Sequence, residues 1–204
     1  MTETAEQPSS DRAPSDSAVH ERALHDRALI EESAKKSALV WVRGPQGPAR
    51  PLWHVWHEGA VCVVGAADAD EDAVTGPQEQ PLAGLGLVDG GTATVTARSK
   101  DKGGRLVVWP ARVVELAPGG ERWQAAAEEL KGKRLNAPDF ETVLDRWQRD
   151  CRVLRLEPAG EAEQRPGDMP ATSTAAVPLP TPATTSRLAP AALPRLLLRG
   201  RKRR

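Results

Sequence analysis

The chain of 204 residues has no tyrosine, one phenylalanine and two cysteines; six tryptophans supply nearly all its aromatic content. Two cysteines exclude a disulfide-rich scaffold. Cys62 and Cys151 both lie in apolar, strand-like stretches and read as reduced core residues. Hydrophobic residues amount to 39%, below the share usual for a compact domain, so part of the chain is expected outside the core. Long apolar runs are missing too. "ALVWV" and "AVCVVGAA" are far too short to span a bilayer. The N-terminus lacks a basic segment followed by an apolar run, so no secretory signal is expected and the location reads as cytoplasmic. Formal net charge is zero but unevenly spread. Seven of the 28 basic residues lie from Arg187 onward with no acid among them, leaving 21 basic against 28 acidic residues in the body. An acidic body argues against a nucleic-acid-binding domain; only the tail "RLLLRGRKRR" could bind an acidic surface, weakly.

What is present divides the chain. Residues 1–17 are polar and Pro/Ser-containing and read as disordered. "AVHERALHDRALIEESAKK" predicts an amphipathic helix over 18–36, with Val19, Ala23, Leu24, Ala28 and Ile30 as its apolar stripe. Period 2 then takes over. Strands are expected at 37–43, 51–57, 60–66, 92–99, 105–116 and 151–158, with Pro110 marking an edge or bulge. "PLAGLGLV" reads as a short helix or turn. Two late helices are expected, one from 120 to 134 and one starting near Pro138 with Phe140, Val143, Leu144 and Trp147 on one stripe. Residues 159–204 are rich in Pro, Ala and Thr and read as a disordered tail with a basic end. The domain is therefore 37–158, mainly β with helices (α+β): a six-stranded barrel or sandwich.

"PLWHVWHEGAVCVVGA" concentrates the candidate chemistry. Glu58-Gly59 fits a two-residue hairpin turn, which sets His57 opposite Ala60, Trp56 opposite Val61, Val55 opposite Cys62 and His54 opposite Val63. Alternation puts Trp53, Val55, His57, Cys62 and Val64 on one face and Leu52, His54, Trp56, Val61 and Val63 on the other. His54 and His57 then point apart and cannot share a metal, so no metal site is expected. Both faces are apolar, so the hairpin should be covered on both sides. His54 and His57 read first as satisfied structural histidines. The sharper reading pairs His54 with Trp56, or His57 with Trp53, as the wall of a site for a planar ligand.

The run "SALVWV…PLWHVWHEGAVCVVGA", a helical turn, "TATVTARS" and "RLVVWPARVVEL" resembles the pyridoxamine 5'-phosphate oxidase-like split-barrel family over about residues 37–117. The resemblance implies a split β-barrel of the FMN-binding type, a homodimer, and FMN or a deazaflavin at the subunit interface. It also implies a phosphate held by basic and hydroxyl groups near the end of the third strand and the following helix. Here that region is acidic, with no Lys or Arg between Gly65 and Ala97. Thr75, Gln78 and Gln80 could donate hydrogen bonds, but the carboxylates around them would repel a phosphate dianion. The nearest basic group is "ARSKDKGGR", with Arg98, Ser99 and Lys100 suited to phosphate. Lys131, Lys133 and Arg134 read as residues answering a helix dipole.

No nucleophile elbow, P-loop or dinucleotide fingerprint is present. The expected cofactor set is Trp53, His54, Trp56, Thr75, Gln80, Arg98, Ser99 and Lys100. The expected function is a flavin-binding oxidoreductase of unknown substrate, in which the cofactor carries the redox chemistry. The alternative is a non-catalytic relative that has lost flavin and serves as a dimer binding a small molecule or a protein.

Overall fold

The computed structural model describes residues 16–66, 79–101, 103–135 and 138–170. In chain order the elements are α1 (Asp16–Lys36), β1 (Leu39–Arg43), β2 (Arg50–Trp53), β3 (Val55–His57), β4 (Ala60–Ala66), β5 (Thr92–Arg98), β6 (Arg105–Glu115), α2 (Glu121–Lys133), α3 (Val143–Asp150) and β7 (Cys151–Pro158). The strands form one antiparallel sheet ordered β2-β1-β5-β6-β7-β4-β3.

Its two outermost strands are consecutive. Trp53, the last residue of β2, pairs with Leu39 of β1, while Val55, the first of β3, pairs with Cys62 of β4. Only His54 separates them. Opposite edges of a seven-strand order lie one residue apart, so the sheet has to curl round into a nearly closed barrel. The fold is an α+β split barrel. The expected strand 51–57 is broken at His54, which makes seven strands of six. The hairpin register holds as read, with His57 opposite Ala60, Trp56 opposite Val61 and Val55 opposite Cys62; the expected His54–Val63 pair does not form. Glu58 and Gly59 both have positive φ, 46° and 76°, as a type I′ turn demands.

Alternation separates two apolar cores. Leu52, Val61, Val63, Val95, Trp109, Leu154 and Leu156 fill the barrel interior. Val55, Cys62, Val64 and Val153 point outward beneath Trp123, Leu130 and Trp147 of α2 and α3. The turns over 82–87 add Leu82, Leu85 and Leu87 to the interior. Pro110 sits where the β6–β7 ladder ends, at the Ala111–Pro158 pair, so its missing N–H is a local edge. No helix of the described residues is long and apolar enough to cross a membrane.

Three expectations change. Helix α1 buries Asp26, Ile30, Ser33 and Ala34, while Val19 and Leu24 are exposed. Its inward stripe is therefore chosen by an ion pair as much as by hydropathy. Helix α3 starts at Val143, and Phe140 stays exposed. Asp139 is drawn into an ion pair with Arg146 at 2.6 Å, and the Thr142 N–H bonds its carbonyl, so 138–142 remains a turn. Residues 159–170, assigned by composition to the tail, pack on the barrel. Gln164 bridges to Val108, Ala162 is buried, and Arg165 meets Asp26 at 2.6 Å. The expectations for 1–15 and 171–204 lie outside the described residues.

Asp26 also accepts the Ala162 N–H at 2.9 Å, so one carboxylate joins α1 to the segment after β7. Burial alone would push its carboxyl up, but the hydrogen bonds from Arg165 and Ala162 outweigh it and hold it below the usual value. A lowered carboxyl contributes stability above its unfolded value and loses it as pH falls through the folded one. Asp26→Asn is expected to cost about 2–3 kcal/mol at pH 7, since the partly buried Arg165 loses its closer carboxylate and keeps only Glu161 at 3.4 Å. Urea unfolding should show that difference shrinking below about pH 4; a constant difference would contradict the clamp. Trp109→Ala, in the barrel interior, should cost about 3–5 kcal/mol, and Trp56→Ala, only half buried, clearly less. Equal losses in the same titration would mean that the two indoles share one environment.

Candidate functional site

The break at His54 opens a cleft of about 690 Å³, lined by β2–β3, the end of α1 and the end of α2. Trp53, His54 and Trp56 line it, together with Lys35, Lys133 and Arg134. Its size lies in the range of small-molecule sites.

Each wall residue has a local cause. His54 turns its Nε2 to the Ala34 carbonyl at 3.0 Å. A carbonyl only accepts, so Nε2 carries the proton and Nδ1 is left as an acceptor. That Nδ1 is buried and makes no hydrogen bond. Burial is the largest influence and lowers the imidazole pKa, partly offset by the carbonyls of Ala34 and Leu52. The ring is therefore neutral at pH 7. His54 is thus a structural tie between the break and α1, as the first reading of it expected.

Trp53 is held by Gln80. Its N–H donates to Gln80 Oε1 at 2.8 Å, and Gln80 Nε2 donates to the carbonyls of Trp53 and Val64 at 2.9 and 3.0 Å. A continued hairpin would place Trp53 opposite Val64. The side-chain amide occupies that opened position and satisfies the backbone groups the break releases. Gly65 permits the approach, because a Cβ there would collide with the Gln80 carbonyl and the Leu82 side chain. The Trp53 ring lies 6.4 Å from that of Trp147, and the Arg134 guanidinium carbon is 5.4 Å from its centroid.

A charged network missed by sequence reasoning backs this wall. Glu79 is buried, and its Oε1 accepts from Arg146 at 3.0 Å and from Trp147 Nε1 at 2.9 Å; Arg134 lies 3.3 Å away. Burial works against the Arg146 cation, but hydrogen bonds to Asp139 and Glu79 raise its pKa overall. Partners 67 positions apart leave no local signature.

The other expected residues are placed apart from these. Gln80 acts on the backbone of Trp53, as described. Arg98 does not line the cleft: its carbonyl accepts from Oγ of Ser37, which does, at 3.1 Å, and its guanidinium lies 4.5 Å from the Trp41 ring centroid. Ser99 and the exposed Lys100 belong to the β5–β6 turn, closed by the Ser99 N–H to the Gly104 carbonyl at 2.8 Å. Thr75 and Gln78 lie outside the described residues. His57 points away from His54 and sits 3.9 Å from Glu58. Among the described residues no group of three or more His, Cys, Asp and Glu is placed to hold a metal ion. Cys62 and Cys151 are free and buried, their thiols pushed up by burial to about 11 and about 12.

No protein-family model matches the chain, and no curated protein does. Among solved structures, HutZ, the heme storage protein from Vibrio cholerae, is similar over 65% of this chain and 89% of its own, at 13% identity and a TM-score of 0.45. An FAD and heme binding protein from Mycobacterium smegmatis is similar over 82% and 94%, at 15% identity and a TM-score of 0.40.

Two outcomes check the site. Gln80→Ala should cost about 2 kcal/mol in urea unfolding, because it leaves the Trp53 N–H without a partner; a loss under about 0.5 kcal/mol would mean that water replaces the amide. A lowered imidazole makes the unfolded chain bind the proton first, so stability should fall as pH drops below about 6.5. Urea midpoints at pH 7.5 and 5.5 should differ less in His54→Gln than in the natural chain. Identical differences would place that acid sensitivity elsewhere.

Proposed function

We propose that the protein binds a flavin, FMN or a deazaflavin, in the cleft at the His54 break, and that the bound flavin serves an oxidoreductase. The observation that carries this reading is the pair of half-buried indoles, Trp53 and Trp56, either side of a neutral histidine with an unused acceptor. A flat conjugated ring system stacks on indole. The His54 ring lies between them in the lining, with its Nδ1 buried. Lysine and arginine side chains at the rim suit a phosphate.

The residues present fit such a cofactor. Trp53 and Trp56 would flank its ring, His54 would fix the ring's orientation, and Gln80 would hold Trp53 in place. Ser99, Lys100 and the Arg98 side chain stay in the proposal as a second basic group, alongside Thr75. When bound, the flavin supplies reversible electron and hydride transfer. The chain's own part is to bind, orient and exclude water. A homodimer belongs to the same reading, supported by the exposed Leu39 and the outward Trp41 on β1.

The second reading, a non-catalytic relative binding another small molecule or a protein, is favoured by Glu79 and Gln80. Their side chains are committed to Arg146, Trp147 and the Trp53 backbone. Purified protein mixed with FMN and washed by filtration separates the two. Flavin absorption bands retained in about one-to-one ratio are the expected result. A colourless protein that returns all the FMN, and then all of a deazaflavin, would overturn the flavin reading.

A further inference from the structure

Basic residues at a helix C-terminus usually answer the exposed carbonyls there. Arg134 does something else. It is the C-cap residue of α2, yet its guanidinium reaches across the cleft wall to the Trp53 ring. Its Nη2 lies 3.3 Å from Glu79 Oε1, and its Nε is buried without a hydrogen-bond partner. Glu79 is fully buried and shared with Arg146 and Trp147. One carboxylate therefore holds the guanidinium beside an indole through Nη2, while the side chain keeps 21% of its surface exposed. A guanidinium fixed by one carboxylate and still partly exposed can meet an oxyanion.

Beside it, Lys133 is exposed and forms no ion pair among the described residues. Lys35 faces them from α1, paired at 2.6 Å with Glu31, and Glu129 is the one carboxylate of the lining. Cations from the ends of α1 and α2 thus line a cleft that also holds two indoles.

We infer that Arg134 and Lys133 form an anion-binding subsite that takes the phosphate of the cleft's ligand, with Glu79 and Trp53 as the residues that position Arg134. This moves the phosphate away from the segment after β4, where the family resemblance would put it, and away from Arg98–Lys100. The assignment of that phosphate to a flavin rests on the reading above; the anion chemistry does not.

The test titrates FMN and riboflavin, which differ by the phosphate, against tryptophan fluorescence of the full chain. The natural chain is expected to prefer FMN by about tenfold or more, as a charge-assisted contact gives. Lys133→Gln and Arg134→Gln should lose that preference, Lys133→Gln while keeping riboflavin affinity, and Lys36→Gln, at an exposed lysine outside the lining, should keep it; a preference lost in Lys100→Gln and kept in the α2 variants would place the phosphate at the other basic group. Lys133 is exposed, so its variant is expected to fold, which a matching thermal melt checks. Equal affinity of the natural chain for both flavins, or a preference surviving in both α2 variants, would overturn the inference and leave flavin binding standing. If neither flavin binds, the flavin reading fails, and inorganic pyrophosphate is titrated instead. A saturable response abolished by Lys133→Gln would then support the subsite, and no saturable response would overturn it as well.

Discussion

Everything in this fold depends on one strand serving two edges of a sheet. β2 pairs with β1 and β3 pairs with β4, and only His54 lies between them. The chain cannot satisfy both ladders without turning, and the turn releases backbone groups that must find partners. Gln80 takes those of Trp53, and His54 ties the break to the end of α1 through the Ala34 carbonyl. Two side chains thus do what a ladder would otherwise do. The break closes the barrel and opens the cleft in the same residue.

Sidedness follows from the closure. Because β3–β4 keeps strict alternation, one set of side chains fills the barrel and the other lies beneath α2 and α3. The helices are then fixed over the outer face, and their ends come to the break. That placement brings Arg134 to Trp53, and Arg146 and Trp147 to Glu79. A buried carboxylate among two arginines and an indole is costly unless every member is bonded. Its presence behind the cleft wall is better explained by positioning than by stability alone.

Much of this was legible in the sequence, and the reasons are physical. The turn at Glu58-Gly59 fixes register, so the pairing of Val55, Trp56 and His57 could be read from the chain. Period 2 on both sides of it identified the two faces. Alternation put Trp53 on the face opposite His54 and Trp56; the break at His54 instead brings all three to one cleft. The break itself was not legible, because the residue that stabilises it is 27 positions from Trp53. Asp26 with Arg165, 139 positions apart, decided which face of α1 is buried, against a stripe chosen by hydropathy alone. Lys133 and Arg134 looked like ordinary helix-end cations; only the approach of Arg134 to Trp53 and Glu79 gives them a further use.

A flavin bound at the break, as proposed, lies against Trp53 and Trp56. The most direct check follows the six indole N–H resonances by NMR while FMN is added. Trp53 and Trp56 should shift together and saturate, with Trp109 and Trp123, buried elsewhere, unmoved. Shifts confined to Trp41, beside Arg98, or no saturable shift at Trp53 and Trp56, would contradict the account.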